Sequence, residues 1–168
     1  MTDTKHPTPD AWKSGGLSYS TGLTLNIAKK MLEVAEAEAE KQDVPVAIAI
    51  TDTGGNLVAF SRMDNAALFS INIAMDKAFT AVFGKWPTGN WGDVYRDGDL
   101  VPLFFHKRWV TFPGGFPIIN NGVVLGGLGV SGGIDEDIFV ARAALAAGGF
   151  STDDADAFLA QIKARGKE

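Results

Sequence analysis

Two apolar runs joined by an Asn-Gly step constrain the fold more than any other feature. The stretch 112–133 reads FPGGFPIINNGVVLGGLGVSGG, with runs 116–119 and 123–130 flanking Asn120-Asn121-Gly122. A type I′ turn needs positive φ at both central residues, and Asn-Gly accepts that at least cost. The spacing therefore predicts an antiparallel hairpin. Leu125 and Val130 fall on opposite sides of a period-2 strand, so both faces are expected to be buried. Gly126, Gly127 and Gly129 remove side chains from that strand. Strand glycines mark the close approach of a ligand or of another backbone. Two readings follow: a sheet floor beneath a bound group or a subunit, or a tight helix-on-sheet crossing. The segment from Gly127 to Gly132 also matches G-x-G-x-x-G. The dinucleotide fingerprint places those glycines in a turn between a first strand and a helix, with a second strand beyond. Here they lie inside the run and a polar, helix-like segment follows, so the match is not read as a cofactor site.

Periodicity orders the rest. Residues 1–20 hold few apolar groups and are expected to form a flexible arm, with Trp12 available to tack it down and His6 solvated. Residues 21–168 are expected to be one domain. Leu25, Ala28, Met31, Leu32, Ala35 and Ala39 make one stripe of a helix over 24–42, capped by Thr24. Run 44–50, the turn cluster Thr51–Asn56 and run 57–61 predict a second hairpin. A second helix spans 67–83 and carries Lys77 in apolar company. Residues 84–110 hold Pro87, Gly89, Gly92, Gly98 and Pro102 among many aromatics, and are read as a long functional or partner-covered loop. Helices over 135–147, with Asp135 as cap, and over 152–164, with Ser151 as cap, complete the chain. Hairpins with helices on the sheet faces make an α+β sandwich with an antiparallel sheet.

Composition narrows the chemistry. A net charge of −5 argues against a nucleic-acid surface. The chain has no cysteine, which removes disulfides, thiolate nucleophiles and cysteine-ligated metals. No segment approaches the roughly 18 apolar residues of a membrane span. The N-terminal stretch lacks the apolar core of a signal peptide, so a cytoplasmic protein is expected.

Six short segments carry a family resemblance. Val44-Pro45-Val46, the Asp52 to Leu57 turn with its Gly54-Gly55-Asn56, and Arg62-Met63-Asp64-x-Ala66 come first. Lys77-Ala78-x-Thr80-Ala81, Gly114-Gly115-x-Pro117 and the segment Gly126-x-x-Gly129-Val130-Ser131-Gly132-Gly133 follow. In this order they resemble the GlcG/HbpS-like family, also called the heme-degrading domain family, over residues 23–149. That family includes extracellular heme-binding proteins and the C-terminal domain of PduO-type corrinoid adenosyltransferases. The resemblance implies a profilin-like sandwich assembled as homodimers or larger oligomers, up to octamers. Ala37 stands where PduO-type members have a heme-binding histidine, the aromatic segment 85–109 is longer than the family suggests, and a secretion signal is lacking.

Candidate site residues follow from residue chemistry. Axial heme ligands are His, Cys, Met or Tyr, and His106, near Phe104, Phe105 and Trp109, is the best placed. His106 equally suits a general base. Lys77, if desolvated, would be a base or a Schiff-base amine; otherwise a Lys77–Asp52 pair and an Arg62–Asp64 pair are expected. Arg62 or the amides of Gly114 and Gly115 would hold an anionic group, with Ser131 as a turn or anion-binding hydroxyl. Asp52 and Asp64 are the charged members of the matched motifs, and Trp86 and Trp109 would wall a flat ligand. Zinc is not expected, since one body histidine and scattered carboxylates lack ligand spacing. Three functions stay open: a ligand-binding protein for heme, a corrinoid or a small aromatic or carboxylate metabolite; a catabolic enzyme using His106 or Lys77; and a structural subunit that docks a partner. The ligand pocket is expected between the glycine-rich strand, the Lys77 helix and the aromatic segment.

Overall fold

The computed structural model describes residues 22–96 and 106–165. The N-terminal arm, with His6 and Trp12, and Phe104 and Phe105 of the aromatic segment lie outside them. In chain order the elements are α1 (Leu25–Lys41), β1 (Ala47–Thr51), β2 (Leu57–Arg62), α2 (Leu68–Gly84), α3 (Thr88–Arg96), β3 (Gly115–Asn120), β4 (Val123–Ser131), α4 (Glu136–Gly148) and α5 (Asp153–Arg165).

The turns form as their residues dictate. Asn121 and Gly122 adopt φ of 49° and 76°, and Asn120 pairs with Val123 across a two-residue connection. At the other hairpin, one carboxylate oxygen of Asp52 accepts the Gly54 amide at 2.8 Å and the Asn56 amide at 2.9 Å. Thr24 caps α1 by accepting the Ile27 amide at 3.3 Å, and Gly149 ends α4 at φ 76°. Asp135 occupies the N-cap of α4 without a side-chain bond, contrary to the expected cap. Asp137 and Glu136 fold back instead, onto the Gly133 amide at 2.8 Å and the Ile134 amide at 3.2 Å.

All strand pairs are antiparallel, in the order β2-β1-β4-β3. One face carries the main core. Met31 of α1 and Ile138 and Leu145 of α4 pack there with Ile48, Ile50, Phe116 and Leu128 of the sheet. The other face carries α2, whose Ala74 and Ala78 meet Ala47 and Ala49 of β1. The architecture is therefore a helix–sheet–helix α+β sandwich, as the periodicity requires.

The expected loop over 84–110 contains a helix. Residues 88–96 form α3 despite Gly89 and Gly92, because tertiary contacts outweigh weak propensity. Trp91 packs edge-on to Trp86 and to Trp109, with ring centroids 5.4 Å and 5.2 Å apart. Gly84 makes room: a Cβ there would lie 2.5 Å from the Trp91 indole nitrogen.

Candidate functional site

The glycine-rich strand resolves in favour of a helix crossing. A Cβ on Gly129 would sit 2.0 Å from the Ala74 carbonyl oxygen, and one on Gly127 would sit 2.2 Å from that of Ala78. The expected floor of a pocket is thus occupied by α2 itself, backbone against backbone. Gly115 completes the contact from β3, since its Cβ would lie 2.7 Å from the Lys77 carbonyl oxygen. At the far end of this contact a pocket opens between Thr53, Val82 and Lys85 and the β4 residues Val123 and Val124.

Lys77 sits where this contact ends, and it is 2 % exposed. Its Nζ donates to Asp137 Oδ2 and to the Val130 carbonyl, each at 2.7 Å. The partner is Asp137 at the start of α4, not Asp52. Gly114, at φ 109°, leaves the space: a Cβ there would meet the Val130 carbonyl at 2.7 Å, Asp137 at 2.8 Å and the ammonium at 3.0 Å. Burial lowers the Lys77 pKa and the attraction of Asp137 opposes that; burial raises Asp137, and Lys77 opposes it in turn. The ammonium is closed in and doubly bonded, so it pins α2, β4 and α4 together rather than presenting an amine to a substrate. The sequence contained both residues but no signal that they would meet.

The other expected partners also separate. Asp52 organises its own turn; burial would raise its carboxyl, but the bonds from Asn56 and Gly54 outweigh that and hold it below the ordinary value. Arg62 and Asp64 are both exposed and form no ion pair with each other. They border a shallow groove with Glu36 and Glu40 of α1. The Gly115 amide donates to Thr88 Oγ1 at 3.0 Å, so it is not an open anion donor. Ser131 ends β4 at 3 % exposure.

The aromatic residues gather on the outer side of α2. Phe79 stacks on Phe83 with centroids 4.3 Å apart, and the His106 ring stacks on Phe79 at 5.4 Å and 12°. The Arg108 guanidinium lies 4.1 Å from the Phe79 centroid and binds Asp76 at 3.0 Å. Thr80 accepts the Val110 amide at 3.0 Å and donates to the Arg108 carbonyl at 3.1 Å, which fixes segment 106–110 along the helix. Phe83 and Trp86 remain 55 % and 41 % exposed. His106 is exposed, with Nδ1 accepting the Arg108 amide at 3.3 Å and no partner for Nε2 among the described residues. Lys85 and Lys107 are exposed beside Trp86 and His106. Phe79, Phe83, Thr80 and Arg108 were missed as site residues. Phe79 and Phe83 stand four apart on one helix, which was the available signal.

No group of three or more His, Cys, Asp or Glu side chains suited to a metal ion occurs among the described residues. No described helix is long and apolar enough to cross a membrane. Ala37 is exposed on α1, in the layer across the sheet from His106.

This arrangement defines a class: an α+β sandwich whose second helix lies on a glycine-rich strand and is locked by a buried lysine–aspartate pair. The chain belongs to the HbpS-like family, whose model, "Haem degrading protein HbpS-like", matches residues 23–146. It is 39 % identical over 127 residues to an uncharacterised 15.0 kDa protein from the dhaT-dhaS intergenic region of Citrobacter freundii, covering 73 % of this chain and 89 % of that one. It is 36 % identical over 129 residues to the corrinoid adenosyltransferase PduO of Salmonella typhimurium; the match covers 74 % of this chain and 38 % of that protein. The structure of a PduOC:heme complex superimposes with a TM-score of 0.73 at 33 % identity, covering 77 % of this chain and 97 % of that one.

Proposed function

We propose that this protein binds a tetrapyrrole, heme or a corrinoid, on the aromatic shelf at the C-terminal end of α2, as a cytoplasmic homo-oligomer. The observation that carries the reading is the exposed His106 and Phe83, both stacked on Phe79 of α2 and backed by Thr80 and Arg108, with exposed Trp86 just beyond the helix end. Flat faces suit a macrocycle, and exposed aromatic rings are unfavourable unless something covers them. The residues fit such a group. The His106 imidazole is exposed, and its Nδ1 bond is long at 3.3 Å, so the ring can turn a nitrogen toward a metal at small cost. Lys85 and Lys107 would meet the carboxylates of the ligand. A bound heme or corrinoid would supply the metal-centred chemistry. The likeness to the PduOC:heme complex supports the reading, and so does the kinship with a corrinoid adenosyltransferase.

The test is a hemin titration of the purified oligomer, read in the visible spectrum, beside His106→Ala and Phe83→Ser. The expected result is a saturable Soret shift, altered in band position by His106→Ala and weakened by Phe83→Ser. No saturable shift with hemin, and none with a cobalamin, would overturn the reading. Lys77 favours no enzymatic alternative, because its ammonium is buried and two of its three donors are taken up by Val130 and Asp137.

A further inference from the structure

At the opposite end of α2, three independent observations meet. The helix start is uncapped: Ala67 holds the N-cap position without a side-chain bond. The first amides of a helix have no intrahelical acceptor. Leu68 and Phe69, which carry them, are 76 % and 68 % exposed, so nothing described covers this end.

Directly behind lies Ser70. It is 0 % exposed, and its hydroxyl has no hydrogen-bond partner among the described residues. Helical serines ordinarily bond back to the carbonyl one turn earlier, and buried hydroxyls are ordinarily paired. This one is neither.

The facing strand supplies a second hydroxyl. Side chains alternate along a strand, so Ser131 shares the α2 face with Gly127 and Gly129. Gly127 abuts the Ala78 carbonyl and Gly129 that of Ala74, so two strand residues match four helix residues. The same step places Ser131 opposite Ser70. The rises agree, at about 3.3 Å per strand residue and about 1.5 Å per helix residue. Ser131 is also unbonded through its side chain among the described residues and is 3 % exposed. The register adds a cation. Ser131, Ala47 and Arg62 form one cross-strand row, and Ala47 packs under α2, so the row faces the helix. Arg62 is exposed and in no ion pair among the described residues.

We propose that this corner binds the carboxylate of a small organic acid. Its donors are the Leu68 and Phe69 amides, the Ser70 and Ser131 hydroxyls, and Arg62 at the rim. A helix N-terminus attracts anions through its free amides and its dipole. A guanidinium grips a carboxylate through two parallel bonds. The charge count selects a monoanion: Arg62 brings the one cation of the row, while Asp64, Glu36 and Glu40, which border a groove with it, add negative charge. A phosphate dianion would be matched less well. The site lies at the other end of α2 from the aromatic shelf and does not depend on the tetrapyrrole reading.

The experiment is an amide-resolved NMR titration of the full chain with sodium acetate and, separately, with inorganic phosphate at constant ionic strength. Saturable shifts of the Leu68 and Phe69 amides with acetate are expected. The Ser70→Ala, Ser131→Ala double variant should bind at least tenfold more weakly, and Arg62→Gln should weaken binding as well. The alanines remove hydroxyls that hold nothing in place, so the remaining spectrum should stay unchanged. Amides that do not saturate with acetate would overturn the proposal. Saturation by phosphate alone, or a double variant that binds as well as the native chain, would do the same.

Discussion

The two faces of the sheet are built on opposite principles. The face under α1 and α4 is a side-chain core, with Met31, Ile48, Phe116, Ile118 and Leu128 each at most 1 % exposed. The centre of the face under α2 carries only small residues, Ala47 and Ala49 on β1, Gly127 and Gly129 on β4, Gly115 on β3, and Ala74 and Ala78 on the helix, with Phe60 and Met75 packed against them. On the first face, stability comes from apolar area removed from water. On the second, little area is available, and close backbone contact plus one buried ion pair replaces it. A helix seated this way is held in one register, because any methyl group added beneath it collides. Such a seat also gives its outer side and both its ends a fixed position, which suits a binding surface.

The largest effect is expected at the polar pin. Lys77→Ala leaves the Asp137 carboxylate buried without its cation, which costs about 3–5 kcal/mol. Thermal unfolding should fall by about 6–20 °C, at roughly 2–4 °C per kcal/mol for a chain of this size. The double variant Lys77→Met, Asp137→Leu removes both charges and should recover most of the loss. If the single variant unfolds where the native chain does, the pin holds nothing.

Neighbouring residues on β4 sharpen the contrast next. Leu128→Ala removes buried carbons from the side-chain face and should cost about 2–5 kcal/mol. Gly129→Ala adds one carbon to the other face, 2.0 Å from the Ala74 carbonyl. That overpacking should cost about 3 kcal/mol. Losing three carbons on one face and gaining one on the other should therefore be comparably harmful in denaturant unfolding. A tolerated Gly129→Ala would mean that α2 rides less tightly than the geometry requires.

Gly122 is the control outside both faces. Nothing lies within 4 Å of a Cβ there, but φ is 76°, so Gly122→Ala should cost only about 1 kcal/mol of backbone strain.

The smallest effect concerns pH and the Asp52 turn. The folded carboxyl is held below the ordinary 3.8, because the Asn56 and Gly54 bonds outweigh burial. A depressed acid favours the folded state when ionised, so its contribution is complete above the ordinary value and is lost as pH falls through the folded one. The melting-temperature gap between the native chain and Asp52→Asn should be widest near neutrality and should narrow toward about pH 3. A gap independent of pH would mean that the carboxylate charge is immaterial to the turn.

Much of the architecture was legible before any coordinates. Thr24 and the Leu25 to Ala39 stripe placed α1 nearly to its ends, and Asn121-Gly122 fixed the β3–β4 turn, because these are local consequences of backbone geometry. Six motifs in order pointed to the family that the chain belongs to. Helix α3 was hidden, since two glycines in nine residues look like a loop until Trp86 and Trp109 are seen to grip Trp91. Among the candidate residues, Trp86 and Trp109 both pack on Trp91 and His106 stacks on Phe79, whereas Asp52, Lys77 and Arg62 go to three separate places.

The sequence by itself determined the helices and strands other than α3, which faces are apolar, and that cysteine chemistry is absent. Periodicity reports the face a residue occupies, but not what lies against that face. Only the tertiary structure decided that α2 fills the space above Gly127 and Gly129, that Lys77 meets Asp137 60 residues away, and that the Ser70 hydroxyl is buried without a partner among the described residues. The physical reason is that these contacts depend on how far two elements advance past each other, and that register is a property of the packed sheet and helix together.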